Sequence, residues 1–428
     1  MSEIYTAAHT ESAIDLYELR LSWLDEADIS ANEFSSVEAR LNASLYDCAP
    51  APHAEQEKNK KEPAKEAECF VYLACRINAE KPEINNYGYD LAYQWLALDA
   101  KKSAAAEAAL SLYPETDQTR LIELYDEQKT LRPALFRLFR KQMQTLPLAM
   151  VSTAATAEDS SPELKAEAIQ YAAANPDIGL DLDLFRTHYV PLLSGRIQFE
   201  ASIVAAALWG GMVRDDADAT KAIGAALSHA GSVTDHAKLL RLAALSGNAE
   251  YLPLLLMAAE NNPDTGYPHL VLFGQKSVMP EILKGLATAH TMEQAAAAFT
   301  QLTDQILPRV PRLTVVGEET EDAEESPEQI PDIKVARTWW EQLQANWKAD
   351  ERWLFGKPAT ATHLAAMSNK HAGRFGRDIM ALLTLAQKAP LNIPWEIWRE
   401  RQQQLLAEQS ATKPATQTPV KPTGARHA

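Results

Sequence analysis

The sequence predicts an all-α fold: a HEAT-like α-solenoid with an N-terminal helical region and a tryptophan-rich C-terminal helical cap. Three observations predict it. The 428-residue chain is rich in alanine and leucine and has only 16 glycines, a composition that leans helical because alanine gives up no side-chain entropy in a helix. Two central segments, RLAALSGNAEYLPLLLMAAE and HLVLFGQKSVMPEILKGLA, align without a gap at an offset of 27 residues, Gly274 on Gly247. Four of the nine tryptophans fall within residues 338–358, enough aromatic surface to close one end of a stack.

Taken in order, ESAIDLYELRLSWLDEAD places Ile14, Leu16, Tyr17, Leu19, Leu21 and Leu24 mostly on one helical face. SSVEARLNASLYDC starts a second helix, with Ser35 and Glu38 spaced as a capping box. Residues 49–66 form a polar insert with three prolines and a lysine run. Helices are predicted near 66–79, 87–98, 102–111, 116–127 and 132–143. ECFVYLACRI reads as a buried helix, with a strand as the alternative, and Pro133 suits a first helical turn. These make an N-terminal helical domain, 1–150.

Residues 151–316 read as HEAT-like helical repeats. Ser160 and Ser161 precede Pro162 as a helix start. In the repeat, Gly247 and Gly274 end a first helix in the left-handed conformation that glycine takes freely. Pro253 and Pro280 then open a second helix, where a missing N–H costs little. AAALWGG offers the same helix end at Gly210, 37 residues before Gly247. One such pair cannot bury its apolar face alone, but stacked pairs can. Residues 317–334 are an acidic linker loop, 335–408 the cap, and 409–428 a Pro/Thr/Ala-rich tail read as disordered.

In the cap, Trp340, Leu343 and Trp347 share one helical face, flanked by Trp339. Trp353, Leu354 and Phe355 follow, before Gly356 and Pro358. Trp395 and Trp398, near Pro394, are expected to pack back onto Trp340 and Trp347. The structural cap is therefore Trp339, Trp340, Trp347, Trp353, Gly356, Pro358, Trp395 and Trp398.

The net charge of −17 argues against nucleic acid, which is bound by clustered Lys and Arg, and against an anionic membrane surface. Three cysteines, an odd count without CxxC, predict a reducing, cytoplasmic setting with no disulfide framework and no zinc ribbon. No signal peptide and no membrane span are expected. GxSxG, HExxH and GxxxxGK[ST] are absent, and the ten histidines form no HxH, HxxH or HxxxH pair. His229 and His236 could share a face only if one helix ran through Gly231. Cys69 and Cys75 read as small buried hydrophobes. Asp181 and Asp183, and Asp215, Asp216 and Asp218, read as solvated loops. No catalytic, cofactor-binding or metal residue is predicted, and no enzyme. Arg132, Arg137, Arg140 and Lys141 interleave with Phe136 and Phe139 on one helix, and SNKHAGRFGRD supplies Lys370, His371, Arg374 and Arg377. Arg137, Arg140, Lys370, Arg374 and Arg377 are the candidates for docking a partner.

The combination WW…RWLFGKP…HLAAM…GRFGRDIMALLTLAQKAPLNIPWEIW resembles the C-terminal signature of a bacterial HEAT-repeat family encoded among type VI secretion genes. The positions are Trp339, Trp340, Arg352, Trp353, Leu354, Gly356, Pro358, Leu364, Arg374, Arg377 and Trp395. HTESAIDLYELR and SSVEARLNASLYD resemble the family's opening helices. The insert at 49–66 and the acidic loop depart from the pattern, and the basic run is thinner. The family carries no established catalytic residues, so none transfers. The resemblance implies a cytoplasmic role in a contractile secretion system and no reaction; with a solenoid's long concave surface and no catalytic set, the expectation is a non-catalytic scaffold, an adaptor or chaperone that binds a secreted effector or toxin and helps load it on the spike. The alternatives are an immunity protein that neutralises a cognate toxin, and a HEAT-like enzyme, which the charge disfavours.

Overall fold

The computed structural model describes residues 3–48, 63–114, 119–175, 182–195, 200–312, 328–387 and 393–412. Most of the polar insert, the acidic stretch up to residue 327, Asp181 and the tail from 413 lie outside the described residues. The protein is an all-α, solenoid-like stack of helices.

The chain opens with α1 (Glu3–Asp25) and α2 (Ala31–Asp47), packed on each other. The second helix starts five residues earlier than its capping-box spacing implied, with Ser30 rather than Ser35 at the N-cap position. Ser35 lies inside it and donates to the Ala31 carbonyl, so Ser35 is no cap, and Glu38 is buried and used elsewhere. Next come α3 (Glu66–Ile77), α4 (Pro82–Trp95), α5 (Ala100–Leu112), α6 (Thr119–Glu127), α7 (Arg132–Gln142) and α8 (Leu148–Thr156). ECFVYLACRI is helical, and its buried face includes Cys69, Phe70, Leu73 and Ala74.

The stack continues through α9 (Pro162–Ala174), α10 (Asp183–Leu193), α11 (Ala201–Val213), α12 (Ala217–His229), α13 (Val233–Ser246), α14 (Leu252–Asn261), α15 (Pro263–Phe273), α16 (Met279–Gly285) and α17 (Met292–Thr303). Odd-numbered helices from α3 to α17 form one row, each against the next odd helix, and even-numbered helices back them. The row passes residue 150 without a break, because α7 packs on α9.

Local chemistry sets the helix ends. Ser161 accepts from the Leu164 N–H with Pro162 in the first turn, and Asp216 and Ser232 cap α12 and α13. Gly247 and Gly274 close α13 and α15 at φ +66° and +62°, the left-handed cap the repeat calls for. Pro253 and Pro280 sit in the first turns of α14 and α16. Gly210 differs: it lies inside α11, where a Cβ would meet the Phe185 ring at 2.2 Å. Its glycine is needed for close approach of α10, not for a helix end. His229 and His236 fall on separate helices.

Beyond α17, residues Arg309–Pro311 (β2) pair antiparallel with Gln329–Pro331 (β3), Val310 opposite Ile330, and Asp332 caps α18 (Ile333–Leu343). The described end of the predicted acidic linker is thus a strand and a helix start. An earlier strand, β1 (Ile29–Ser30), pairs with β6 (His371–Ala372), Ile29 opposite Ala372. Between them in sequence lies a hairpin of β4 (Trp353–Leu354) and β5 (Lys357–Pro358). α19 (Ala361–Ser368), α20 (Gly373–Gln387) and α21 (Arg399–Thr412) finish the described chain. α20 lies against α1 and α11, and α21 against α2. One buried core runs from Ala13 to Leu405.

Candidate functional site

The cap residues divide between two places. Trp340, Trp347 and Trp353 form one cluster. Trp340 meets Trp347 edge to face at 5.2 Å, and Trp347 stacks on Trp353 at 4.9 Å. Trp339 packs at its margin, half-buried. Each tryptophan of this size removes about 150–250 Å² from water, roughly 4–6 kcal/mol of transfer free energy before ordering costs. Helix α18 ends at Leu343, so Trp347 reaches the cluster from the following turn rather than from the same helical face.

Trp395 and Trp398 do not join that cluster, contrary to the expectation from their proximity in sequence. Trp398 stacks on Phe70 at 6.0 Å, with the Arg20 guanidinium 4.2 Å above its ring. Trp395 lies under Arg377 at 5.5 Å. The intervening α19 and α20 carry the chain back to its beginning, so these two rings join the ends of the molecule instead of covering the last repeat.

The RWLFGKP element explains why the repeat glycines matter. Arg352 donates to the carbonyls of Phe273 (3.2 Å), Ala244 (3.2 Å) and Leu245 (2.8 Å), at the C-terminal ends of α13 and α15. These carbonyls lie in the last turns of their helices, where the Ala244 oxygen also accepts from the Gly247 N–H at 3.2 Å, and the helix dipole makes them a fit for a cation. Burial pushes the guanidinium down to about 10, which leaves it charged at neutral pH. The hairpin adds backbone bonds from Trp353 to Gly274, Phe355 to Gln301 and Gly356 to Leu302. Its two turn residues, Phe355 and Gly356, have φ +46° and +67°, the geometry of a type I′ turn. A Cβ on Gly356 would meet the Thr303 carbonyl oxygen at 2.9 Å, while Pro358 pairs with Trp353.

A Cβ on Gly247 would stand 2.8 Å from the Arg352 Nη2. Gly247→Ala therefore adds left-handed strain to a displaced guanidinium and should cost about 1–3 kcal/mol. Urea unfolding followed by tryptophan fluorescence reads it, and an unchanged midpoint would refute the contact.

Of the basic candidates, Arg137 bonds Glu107 (2.8 Å) and Glu163 (2.9 Å), with Glu167 at 3.7 Å. Arg140 reaches Glu396 at 3.2 Å, and Lys141 reaches Glu107 at 3.0 Å. Burial alone would raise the Glu396 carboxyl, yet Arg140 and Lys141 hold it below its ordinary value. Arg377 stands beside Asp378 and over Trp395. These three arginines are engaged within the chain, and Lys370 and Arg374 are the exposed members of the set. Of the acidic groups, Asp216 accepts from the Tyr189 hydroxyl and faces Arg186 at 3.5 Å, while Asp218 and Arg186 are 2.6 Å apart. They brace α10 to α12.

A buried polar cluster links α20 to the row. Arg241 on α13 holds Asp378 at 2.7 Å, next to His269 on α15. Burial pushes His269 down to about 4, with Arg241 and Arg377 adding to the effect and Asp378 opposing it. An unfolded histidine titrates near 6.5, so the unfolded state takes up the proton first as pH falls. Stability from keeping this ring neutral is fully present above about pH 6.5 and is lost as pH falls toward about 4, by up to about 3 kcal/mol. Urea midpoints across that window should show the loss, and His269→Gln should flatten it. Identical slopes in both proteins would reject the assignment.

Two cavities stand out among the described residues. One of about 440 Å³ lies between α19, α20 and α21, lined by Ala365, Asn369, Gln387, Gln403, Leu406 and Ala407. None of these ionises, so this lining supplies no general acid, base or nucleophile. The other, about 20 Å³, borders Arg377 and Trp395 and has room for about one water. Among the described residues no group of three or more His, Cys, Asp or Glu could hold a metal ion, and no helix is long and apolar enough to cross a membrane.

The residues missed from sequence are Arg20, Glu38, Glu396 and Arg399. Glu38 accepts from the Arg20 Nε at 2.7 Å and from the Arg399 backbone N–H at 2.8 Å, and Arg20 also donates to the Glu396 carbonyl at 3.0 Å. Arg399 itself donates to Gln402 and to the Ser368 carbonyl. For Arg20 and Glu38 the sequence signal is charge within an apolar helical face, whereas Glu396 lies in the turn before α21 and Arg399 opens that helix. No family model, curated protein or solved structure matches the chain.

Proposed function

We propose that this chain is a non-catalytic, protein-binding scaffold, an adaptor or chaperone that holds a type VI secretion effector in the cytoplasm and helps load it on the spike. It would act without a cofactor and without nucleic acid or membrane as partner. The observation that supports the reading is the junction of the two chain ends. The opening helices and the C-terminal segment are the stretches that resemble the secretion-associated family, and they meet through Glu38, Arg20, Glu396 and Arg399. Motifs that far apart in sequence then describe one closed frame, and the resemblance concerns that frame as a whole. The same closure occupies part of the odd-numbered row, where α20 packs on α11, and leaves the backing helices to face a partner. A net charge of −17 suits a partner with a basic or amphipathic segment.

The test is a pull-down of the tagged chain from cells that express its neighbouring genes, with mass spectrometry of what stays bound. Recovery of a toxin-like protein together with a spike component is the expected result. A toxin alone would replace the adaptor reading with immunity, and neither would overturn both.

A further inference from the structure

The small cavity of about 20 Å³ lies where the two chain ends meet, with Phe34 of α2, Gly376 and Arg377 of α20, Trp395, and Arg399 of α21 in its wall. Arg399 is 6% exposed. Its Nη1 donates to the Gln402 side-chain oxygen at 2.8 Å and its Nη2 to the Ser368 carbonyl at 2.9 Å, both neutral acceptors. Its Nε is buried and meets no acceptor among the described residues. The same holds for the Arg377 Nε. The Asp378 carboxylate stands 3.6 Å from it, beyond hydrogen-bond reach.

The neighbouring carboxylates are already neutralised. Arg241 holds Asp378 at 2.7 Å, and Arg20 holds Glu38 at 2.7 Å. The other Glu38 oxygen accepts from the Arg399 backbone, not from its guanidinium. Glu396 faces Arg140, and Asp28 lies 2.9 Å from the His371 Nδ1. Arg377 and Arg399 are thus left without a carboxylate of their own at this junction, and they border one cavity. A buried charge is costly unless it is paired. Burial pushes both guanidinium groups below the ordinary arginine range, with Asp378 and Glu38 each opposing in part. The first turn of α20 adds the positive end of a helix dipole. Its Arg374 and Phe375 N–H groups already donate to the carbonyls of Glu26 and Ala27, so the arginine Nε groups supply the donors.

We propose that this cavity binds one small monovalent anion of halide size, held by the Nε groups of Arg377 and Arg399. The space takes one water-sized particle, too little for phosphate, sulfate or a nucleotide. A water could accept from both donors but carries no charge to offset theirs. The ion ties α20 to α21, so the closure of the chain ends tightens as halide rises.

The experiment follows thermal unfolding of the full-length chain by tryptophan fluorescence, in sodium chloride and in sodium gluconate at matched ionic strength. A ligand that binds only the folded state raises the midpoint with the logarithm of its concentration, whereas screening acts alike in both salts. The midpoint should climb with chloride and with bromide, and lag in gluconate. Arg377→Gln, which removes one charge from the wall, should cancel the halide-specific rise. Arg374→Gln, at an exposed position of the same helix, should keep it. Diffraction from crystals grown in bromide should place an anomalous peak within hydrogen-bonding distance of both Nε atoms. Equal midpoints in the two salts, a full halide response in Arg377→Gln, or a water or a carboxylate of the chain at that position would each overturn the proposal. Should Arg377→Gln not fold, the wild-type salt comparison and the bromide peak decide the matter by themselves.

Discussion

Arg352→Ala should lower stability by roughly 3–5 kcal/mol, the range for removing one partner of a buried charged contact. The substitution deletes three hydrogen bonds at once and strands the carbonyls of Phe273 and Leu245 at two adjacent helix ends, while Ala244 keeps the Gly247 N–H. Each orphaned buried acceptor costs about 1–3 kcal/mol when water cannot replace the donor. Arg352→Lys should recover only part of the loss, since an ammonium cannot fork across two helix termini. Tryptophan fluorescence during urea unfolding is the natural probe, because Trp353 adjoins Arg352 and stacks on Trp347. A loss below about 1 kcal/mol would mean that solvent already reaches those carbonyls.

Glu38→Ala should have an effect of similar size, again roughly 3–5 kcal/mol, at the opposite end of the stack. It leaves Arg20, itself 4% exposed, without its carboxylate, and the Arg399 N–H without an acceptor. The expected signature is local: α21 should become the first target of a protease, ahead of the central repeats. Protease susceptibility spread evenly over the chain would show that Glu38 does not govern the junction. A charge-conserving control, Glu38→Asp, should retain the ion pair with a shorter reach and fall between the two.

Where the code is local, the sequence was readable. Glycine at a left-handed helix end and proline in a first turn each act within one turn of backbone, so Gly247, Gly274, Pro253 and Pro280 could be placed without knowing their neighbours. Gly210 shows the limit. The same residue type answers to a second demand, close approach of the Phe185 ring, and only the partner distinguishes them. Ser35 and Glu38 carry capping-box spacing, but Glu38 is committed to an arginine on α1 and to a backbone N–H 361 residues away. Nothing in a local window records such a partner. Trp395 and Trp398 were misplaced for the same reason, since nearness along the chain stood in for nearness in space.

The β1–β6 pairing and the Glu38–Arg399 bond also bear on how the polypeptide is made. Helices α1 and α2 leave the ribosome long before their C-terminal partners exist. At about 5–20 residues per second, the 361 residues separating Glu38 from Arg399 take about 20–70 s to translate. For that interval Phe70, Arg20 and Glu38 have no lid, and the nascent chain carries an apolar, charged seam at its leading end. A stack held only by neighbouring repeats could settle pair by pair as it emerged. This one reaches its final form only after the last helix arrives, so its early intermediates are the species on which a nascent-chain chaperone would act.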